Sequence, residues 1–303
     1  MQKQWPDLNI AIEQISTKGD HIADKPLTQI GGDGVFVKEI EHALHQQRID
    51  LAVHSLKDLP TAQPADLRLA VVGPREDVRD VLVGSFLPDA KGGGKPNSST
   101  LRIGTCSLRR AAQIRALLPN AQILPLRGNV DTRLRKLDAG DYDGIVLAAA
   151  GLHRLALQER LVDRITYLPI DVMMPAPGQG ALALEMRNEP EIRALVAPLE
   201  NAESQATTSA ERMFMRRLGA GCYLPVAAHG QLVNETLTLQ GLVISLDGQR
   251  QVRVQQSMRW STASHTEHVE QLGVQLAEQA LAQGAAEIIA TLDTGRAQER
   301  QYV

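Results

Sequence analysis

Short apolar runs alternate with helical patterns through the middle of the chain, and this alternation limits the possible folds more than any other feature. The runs at 101–104, 121–124 and 144–148 have the length of strands, and the segments 107–118 and 131–139 between them are predicted as helices. Strands that are joined by helices at this spacing pair in parallel within one sheet. The chain is therefore predicted to contain an open α/β sheet.

Similar patterns precede this region. Strands are predicted at 8–15, 49–54 and 67–72, with a helix that ends near Gln47 between the first two. This order again favours parallel βαβ units. The segment 171–180 holds several prolines and glycines and is predicted to be a crossing or hinge, after which a strand at 181–186 returns to the first lobe.

The character of the chain changes after residue 219. Alternating segments at 226–231, 236–244 and 251–259 predict antiparallel strands, with Asp247-Gly248 as a hairpin turn. An amphipathic helix is predicted at 265–283. Together with a helix at 202–218, these elements predict a small α+β domain.

Composition excludes several classes of protein. The net charge is −3 and aromatic residues make up 3% of the 303 residues, which argues against a nucleic-acid binder. No apolar run approaches the roughly 20 residues of a membrane span. The first residues lack the apolar core of a signal peptide, and the two cysteines lack the spacing of a metal site or a disulfide framework. We expect a reduced, cytoplasmic setting and no bound metal.

Two turns that follow predicted strands carry four arginines, namely Arg109, Arg110, Arg127 and Arg133. The carboxyl ends of strands and the following helix N-termini form the ligand crevice of an open α/β sheet. A helix N-terminus disfavours cations unless an anion is present. We therefore expect a ligand with several carboxylates or phosphates. The alternative is that these arginines lie on solvated helix faces, paired with nearby carboxylates.

Three further side chains could take part in chemistry. Asp58 follows a predicted strand, beside Lys57, where it could act as an acid, a base or a cation stabiliser, or simply occupy a turn. Cys222 follows Gly-Ala-Gly, so it is either a presented thiol or a buried small residue. Cys106 lies at a predicted helix N-terminus, which lowers the pKa of a thiol, and it has the same alternative.

These segments together resemble the porphobilinogen deaminase family over the chain from about residue 8 to the C-terminus. The matching stretches are GGDGVFVKE (31–39), DLAVHSLKDLP (50–60), GTCSLRR (104–110), LRGNVDTRLRKLD (126–138), DGIVLAAAGLHR (143–154), PAPGQG (175–180) and Gly221-Cys222. No single motif carries the resemblance, but ordered matches in both halves of the chain make it specific.

The resemblance implies an α/β fold with two periplasmic-binding-protein-like, doubly wound lobes and a small α+β C-terminal domain. Domain 1 would comprise 1–75 and 178–199, domain 2 would comprise 76–177, and domain 3 would comprise 200–303. It further implies a dipyrromethane cofactor joined to Cys222 by a thioether. The implied activity is that of a transferase, which joins four porphobilinogen units with loss of ammonia and releases hydroxymethylbilane.

The resemblance also implies roles for individual residues. Asp58 matches the catalytic aspartate, which helps to protonate the leaving amine and then faces the resulting cation. The positions that match carboxylate-binding or cofactor-proximal residues of the family are Ser55, Lys57, Thr105, Ser107, Arg109, Arg110, Arg127, Arg133 and Arg154. A monomer is expected, with a small-molecule substrate and neither nucleic acid nor membrane as a partner.

Some positions depart from the family pattern. The family begins with a strand and helix that carry an Arg-x-Ser segment, which this sequence lacks, so either the start is assigned too late or the product is truncated; we favour the first. Gln29 and Asp33 stand where lysine is common, and Cys106 stands where serine is common. The alternatives to an active enzyme are a non-catalytic polycarboxylate-binding module and an inactive, truncated deaminase.

Overall fold

The computed structural model describes residues 1–17, 37–84, 100–219, 224–264 and 266–291, and these form three β-sheets. The strands are β1 Leu51–Ser55, β2 Leu67–Val72, β3 Asp80–Gly84, β4 Arg102–Gly104, β5 Gln122–Leu124, β6 Gly144–Ala148, β7 Ile165–Tyr167, β8 Leu182–Arg187, β9 Val226–Val233, β10 Thr236–Ile244 and β11 Gln251–Arg259. The helices are α1 Lys38–His45, α2 Leu108–Leu117, α3 Val130–Asp138, α4 Ala149–Arg154, α5 Pro190–Val196, α6 Ala202–Arg217 and α7 Thr266–Ala280.

The first sheet has the order β1-β8-β2, and β8 is antiparallel to both of its neighbours. The predicted strands at 49–54, 67–72 and 181–186 are confirmed within two residues. The expectation of directly paired parallel strands is wrong for this sheet, because β8 lies between β1 and β2. The predicted strand at 8–15 is also wrong. Ile10 and Ile12 share one face of the alternating pattern, but they are 42% and 93% exposed, so no packing stabilises an extended ladder there.

The second sheet has the order β5-β4-β6-β3-β7. As predicted, β4 is parallel to both β5 and β6, and helices connect these strands. The remaining pairs are antiparallel, since β3 runs against both β6 and β7. The sequence reasoning missed β3, which begins with a charged residue, and β7, which has only three residues. Every residue of β3 is buried.

The third sheet is an antiparallel meander of the order β11-β10-β9, and its strands agree with the prediction to within two residues. Helices α6 and α7 pack against it around a core that contains the fully buried Phe214. The two helices approach closely at Gly273, where a Cβ would lie 2.3 Å from the Ala210 carbonyl oxygen and 2.8 Å from the Met213 Cβ. The predicted α+β C-terminal unit is thus observed.

The hairpin between β10 and β11 packs against helix α2 of the second sheet. Gly248 has a φ of +76°, and a Cβ there would lie 2.6 Å from the Ala116 nitrogen and 2.7 Å from the Ala112 carbonyl oxygen. Arg115 of the same helix donates to the Leu246 carbonyl (2.7 Å). The C-terminal sheet is therefore in direct contact with the helix that begins at Leu108. Among the described residues, none of the helices is long and apolar enough to cross a membrane.

We expect Gly273→Ala to destabilise the protein, because its new methyl group would meet the backbone of α6. Overpacking of this kind costs about 1–3 kcal/mol, and chemical denaturation would measure the loss. The matched control is Gly151→Ala in α4, where the nearest atom, Val130 Cγ2, is 3.9 Å from the added Cβ. That variant should unfold at the wild-type denaturant concentration or above it. Equal stability of the two variants would contradict the helix contact.

Candidate functional site

A buried carboxylate lies at the centre of the site. Asp80 begins β3 and is 0% exposed. Arg109 donates from Nη1 to its Oδ2 (2.6 Å), and Arg110 donates from Nε and Nη2 to its Oδ1 (3.0 and 2.7 Å). Both guanidinium groups are themselves buried. Because buried charges persist only when they are paired and hydrogen-bonded, these three side chains act as one unit, which we call the Asp80 cluster.

The electrostatics of the Asp80 cluster favour its charged form. Burial alone would raise the pKa of Asp80, but Arg109 and Arg110 more than offset this effect and hold that pKa well below its usual range. Burial lowers the pKa of Arg109, and the neighbouring Arg110 lowers it further, while Asp80 opposes both. The carboxylate is thus ionised at neutral pH and compensates part of the two positive charges.

The local sequence explains how α2 presents its arginines. Ser107 is the N-cap, and its Oγ accepts a hydrogen bond from the Arg110 backbone N–H (3.4 Å). Thr105 Oγ1 accepts from the Ser107 N–H (3.1 Å). We expected a ligand to supply the anion that this helix N-terminus requires. For Arg109 and Arg110 the protein itself supplies an anion, Asp80, which the sequence reasoning missed. The sequence does contain a signal for this residue, because Asp80 directly precedes the apolar run Val-Leu-Val.

Gln179 connects the Asp80 cluster to the first lobe. Its Nε2 donates to Asp80 Oδ1 (3.0 Å) and to the Val78 carbonyl (2.8 Å), and its Oε1 accepts from Lys57 Nζ (3.4 Å). Gln179 is 1% exposed, so its amide has few other partners. The motif at 175–180 was included in the family resemblance, but no role was predicted for the side chain of Gln179 within it. This residue therefore joins Lys57, which follows a strand of the first sheet, to Asp80 in the second sheet.

A single 3₁₀ turn after β1 carries Lys57 and Asp58. Asp58 is exposed, and within the described part of the chain its carboxylate makes no hydrogen bond or ion pair. Burial, together with the nearby Arg110, lowers the pKa of Lys57 to about 8, although Asp58 opposes the shift. Ser55 is half-buried at the start of the turn, where its side chain does not cap the backbone. Asp58 is thus available to a ligand beside a partly desolvated cation.

The other predicted arginines lie on the loops and helices that follow the parallel strands. Arg133 on α3 donates from Nε to the Gly128 carbonyl (2.7 Å). Burial and Arg110 lower its pKa, whereas Cys106 and Asp58 oppose this effect, so its guanidinium lies within electrostatic reach of these groups.

Arg127 and Arg154 extend the same edge of the second sheet. Arg127 is half-buried between β5 and α3, and Arg154 ends α4, where its Nη2 donates to the Gly180 carbonyl (2.8 Å). Because β4, β5 and β6 are parallel, the segments after them share one edge of the sheet. The segments that carry Arg109, Arg110, Arg127 and Arg133 therefore begin at that edge, whereas Arg154 lies at the C-terminal end of α4.

Cys106 lies within the described residues, whereas Cys222 does not. Cys106 is a half-buried free thiol. Cys222, Gln29, Asp33 and the motif at 31–34 lie outside the described residues, so their predicted roles stay predictions. Within the described ranges, no group of three or more metal-ligating side chains comes together.

A second buried ion pair joins the segment between β2 and β3 to helix α6, which packs on the third sheet. Arg75 donates to both oxygens of Glu211 (2.6 and 2.9 Å), and Glu211 is 0% exposed. The backbone N–H groups of Gly178 and Gly230 also donate to this carboxylate (2.7 and 2.6 Å). The crossing was predicted from prolines and glycines, but this pair was missed because its partners are 136 residues apart.

Asp80→Asn should destabilise the protein strongly, because the change leaves two buried arginines without their anion. Breaking a buried ion pair costs about 3–5 kcal/mol, and urea denaturation would measure it. The matched control is Asp138→Asn, which breaks a half-exposed pair with Arg164 and should cost less than about 1 kcal/mol. A wild-type midpoint for Asp80→Asn would refute the structural importance of the cluster.

Comparison with known families gives two matches. The family described as "Porphobilinogen deaminase, dipyromethane cofactor binding domain" matches residues 1–194, and "Porphobilinogen deaminase, C-terminal domain" matches residues 205–282. Among solved structures, the chain is similar to a ligand-binding component of an ABC-type import system from Staphylococcus aureus (TM-score 0.33, 15% identity, 58% of this chain and 59% of that one). It is also similar to the periplasmic aliphatic sulphonate binding protein from Escherichia coli (TM-score 0.31, 18% identity, 58% and 56%).

Curated relatives cover nearly the whole chain. The porphobilinogen deaminase of Syntrophotalea carbinolica is 47% identical over 289 residues, which are 95% of this chain and 88% of that protein. The porphobilinogen deaminase of Roseiflexus castenholzii is 46% identical over 291 residues, which are 96% and 91% of the two chains. Similarity of this extent, together with the family match over residues 1–194, shows that the chain belongs to the porphobilinogen deaminase family.

Proposed function

We propose that this chain is a transferase that joins four porphobilinogen molecules head to tail, with loss of ammonia, to give the linear tetrapyrrole hydroxymethylbilane. Membership of the porphobilinogen deaminase family is the observation that carries this proposal. The cationic edge of the second sheet supports it, because each porphobilinogen carries an acetate and a propionate group. Arginine binds such carboxylates through paired hydrogen bonds.

We propose dipyrromethane, attached to Cys222, as the cofactor. The residues present fit such a group, because a molecule with several carboxylates needs several cations, and the half-buried Lys57 and Arg133 both lie within electrostatic reach of Arg110 and Asp58. When bound, it supplies the pyrrole carbon to which the first substrate unit is joined. The residues proposed to bind carboxylates of the cofactor and the growing chain, or to lie beside them, are Ser55, Lys57, Thr105, Ser107, Arg109, Arg110, Arg127, Arg133 and Arg154.

Asp58 is the proposed catalytic residue. Its exposed carboxylate can hold a proton for the amine that leaves as ammonia, while the C–N bond of the substrate breaks. The carboxylate then faces the cationic carbon that remains and stabilises it electrostatically.

We further propose the three domains of the family. Sheet membership supports the division: β1, β2 and β8 fall within 1–75 and 178–199, β3 to β7 within 76–177, and β9 to β11 within 200–303. The proposed state is a cytoplasmic monomer that binds a small molecule and no nucleic acid.

The test is to express the chain in a host that makes tetrapyrroles, then measure its intact mass and its turnover of porphobilinogen. A dipyrromethane-sized adduct should map to the Cys222 peptide. Asp58→Ala should keep the fold and the adduct but lose nearly all turnover. The control is Asp163→Ala, an exposed aspartate in another 3₁₀ turn, which should keep wild-type turnover.

Other outcomes would identify other functions. A soluble chain that has no adduct but binds polycarboxylates, with or without Asp58, would be a binding module. A chain with the adduct and no turnover would be an inactive deaminase. Full turnover by Asp58→Ala would remove Asp58 from the mechanism.

The pKa of Lys57 predicts a pH dependence. Because burial lowers this pKa to about 8, Lys57 is charged below that pH and becomes neutral as pH rises through it. Its attraction for substrate carboxylates is therefore present below pH 8 and lost above it. We expect kcat/KM, which reports on groups of the free enzyme, to fall through this range.

Lys57→Arg provides the comparison, because an arginine stays charged throughout this pH range. If the variant retains activity, its kcat/KM should not fall near pH 8. Lys136→Arg, at an exposed lysine of α3, should keep the wild-type profile. The same fall in Lys57→Arg would assign the titration to another group.

A further inference from the structure

Glu185 is a buried carboxyl group that lies outside the Asp80 cluster. It lies on β8, the middle strand of the first sheet, and is 0% exposed. Its Oε2 lies 3.0 Å from His54 Nε2, and its Oε1 has no hydrogen-bond partner among the described groups. Burial of a carboxylate oxygen without a full set of partners is costly and calls for an explanation beyond core packing.

Basic side chains face Glu185 from two elements. His54 on β1 contacts the carboxylate directly, whereas Arg212 on α6 makes no hydrogen bond or ion pair with Glu185 in the described part of the chain. Burial and Arg216 lower the pKa of Arg212 to about 10, while Glu185 opposes this shift, so the two groups lie within electrostatic reach. One acidic neighbour is also present, since burial and Glu185 raise the pKa of Glu41 on α1.

The two basic residues lie at opposite ends of one segment. His54 directly precedes Ser55, where the segment begins. Arg212 donates to the carbonyls of Leu59 (3.3 Å) and Pro60 (2.6 Å), where it ends. Between these points lies the 3₁₀ turn that carries Lys57 and Asp58.

The face of β8 that carries Glu185 is also the face on which this segment packs. Ala183 lies two residues before Glu185, so both side chains project from the same side of the strand. Ala183 packs with the buried Leu56 and Leu59 of the segment. The Leu56 N–H donates to the Ala181 carbonyl (3.1 Å). The segment thus rests on the face of β8 that also carries the Glu185 carboxylate.

We propose that Glu185 is a positioning residue, which fixes His54 and through it the start of the segment carrying Lys57 and Asp58, while Arg212 holds the end of that segment. The inference rests on the proposed function for its effect on turnover, but not for its effect on the segment. Glu185 itself touches neither substrate nor cofactor in this proposal. Misplacement of reacting groups by about 1 Å can cost ~100-fold in rate. We therefore expect the loss of Glu185 to lower kcat.

The test compares Glu185→Gln, His54→Gln and the double variant with wild type, all carrying the cofactor adduct. We expect Glu185→Gln to lower kcat roughly 10- to 100-fold with KM changed less than about threefold. Because the two residues act through one contact, the double variant should be no more than about twofold below the worse single variant. The control is Glu200→Gln, which breaks an exposed ion pair with Arg68 beside the same sheet and should keep the wild-type kcat.

Hydrogen exchange provides a readout that does not depend on turnover. In Glu185→Gln the amides of Leu56 and Leu59 should exchange about tenfold faster, while those of β10 keep their wild-type rates. A general loss of stability would accelerate both sets. If Glu185→Gln does not fold, the same measurements are made on His54→Gln. That variant removes the imidazole but keeps the Glu185 carboxylate, with an amide beside it.

The outcomes separate the two proposals. Wild-type kcat and unchanged exchange in Glu185→Gln would overturn the positioning role. Additive losses of kcat in the double variant would also overturn it. If wild type makes no product, the proposed function fails, and faster exchange confined to Leu56 and Leu59 would still support the positioning role.

Discussion

Burying two adjacent arginines in the first turn of a helix is unfavourable unless an anion is held beside them, and Asp80 is that anion. Its position at the start of β3 fixes the first turn of α2 against the centre of the second sheet. Gln179 extends the same hydrogen-bond network to Lys57, so the first sheet is aligned to this centre as well. The cationic edge is therefore a rigid arrangement, and a ligand would meet charges that are already oriented.

The elements with a clear local pattern could be predicted from the sequence. The three C-terminal strands alternate, so their ends were predicted to within two residues, and β6 was predicted with its observed ends. The arginine turns were correctly placed after parallel strands. By contrast, β3 has no alternation because both of its faces are buried: Val81 and Val83 pack on one side, and Leu82 packs on the other. Its leading aspartate also resembles a turn residue.

Pairings between distant residues could not be predicted in this way. Asp80 lies about 30 residues from its arginines, and His54 lies 131 residues from Glu185. Hydrophobic period and turn chemistry describe only near neighbours along the chain, whereas these contacts depend on how the sheets pack. The same limit explains the first sheet, where all three strands were predicted and β8 was expected to return to this lobe, but its antiparallel place between β1 and β2 was not. The family resemblance, carried by ordered motifs, is confirmed by the comparisons.

The place of β8 in the first sheet has a consequence for the order of folding. Among the described strands, β1 and β2 pair only with β8, which begins 110 residues after the end of β2. During synthesis, neither β1 nor β2 can pair with β8 until residue 187 has left the ribosome. Pairing over such a distance slows folding and exposes strand edges meanwhile. The second sheet, whose strands all lie between 80 and 167, can form first and serve as the scaffold on which the earlier part of the chain closes.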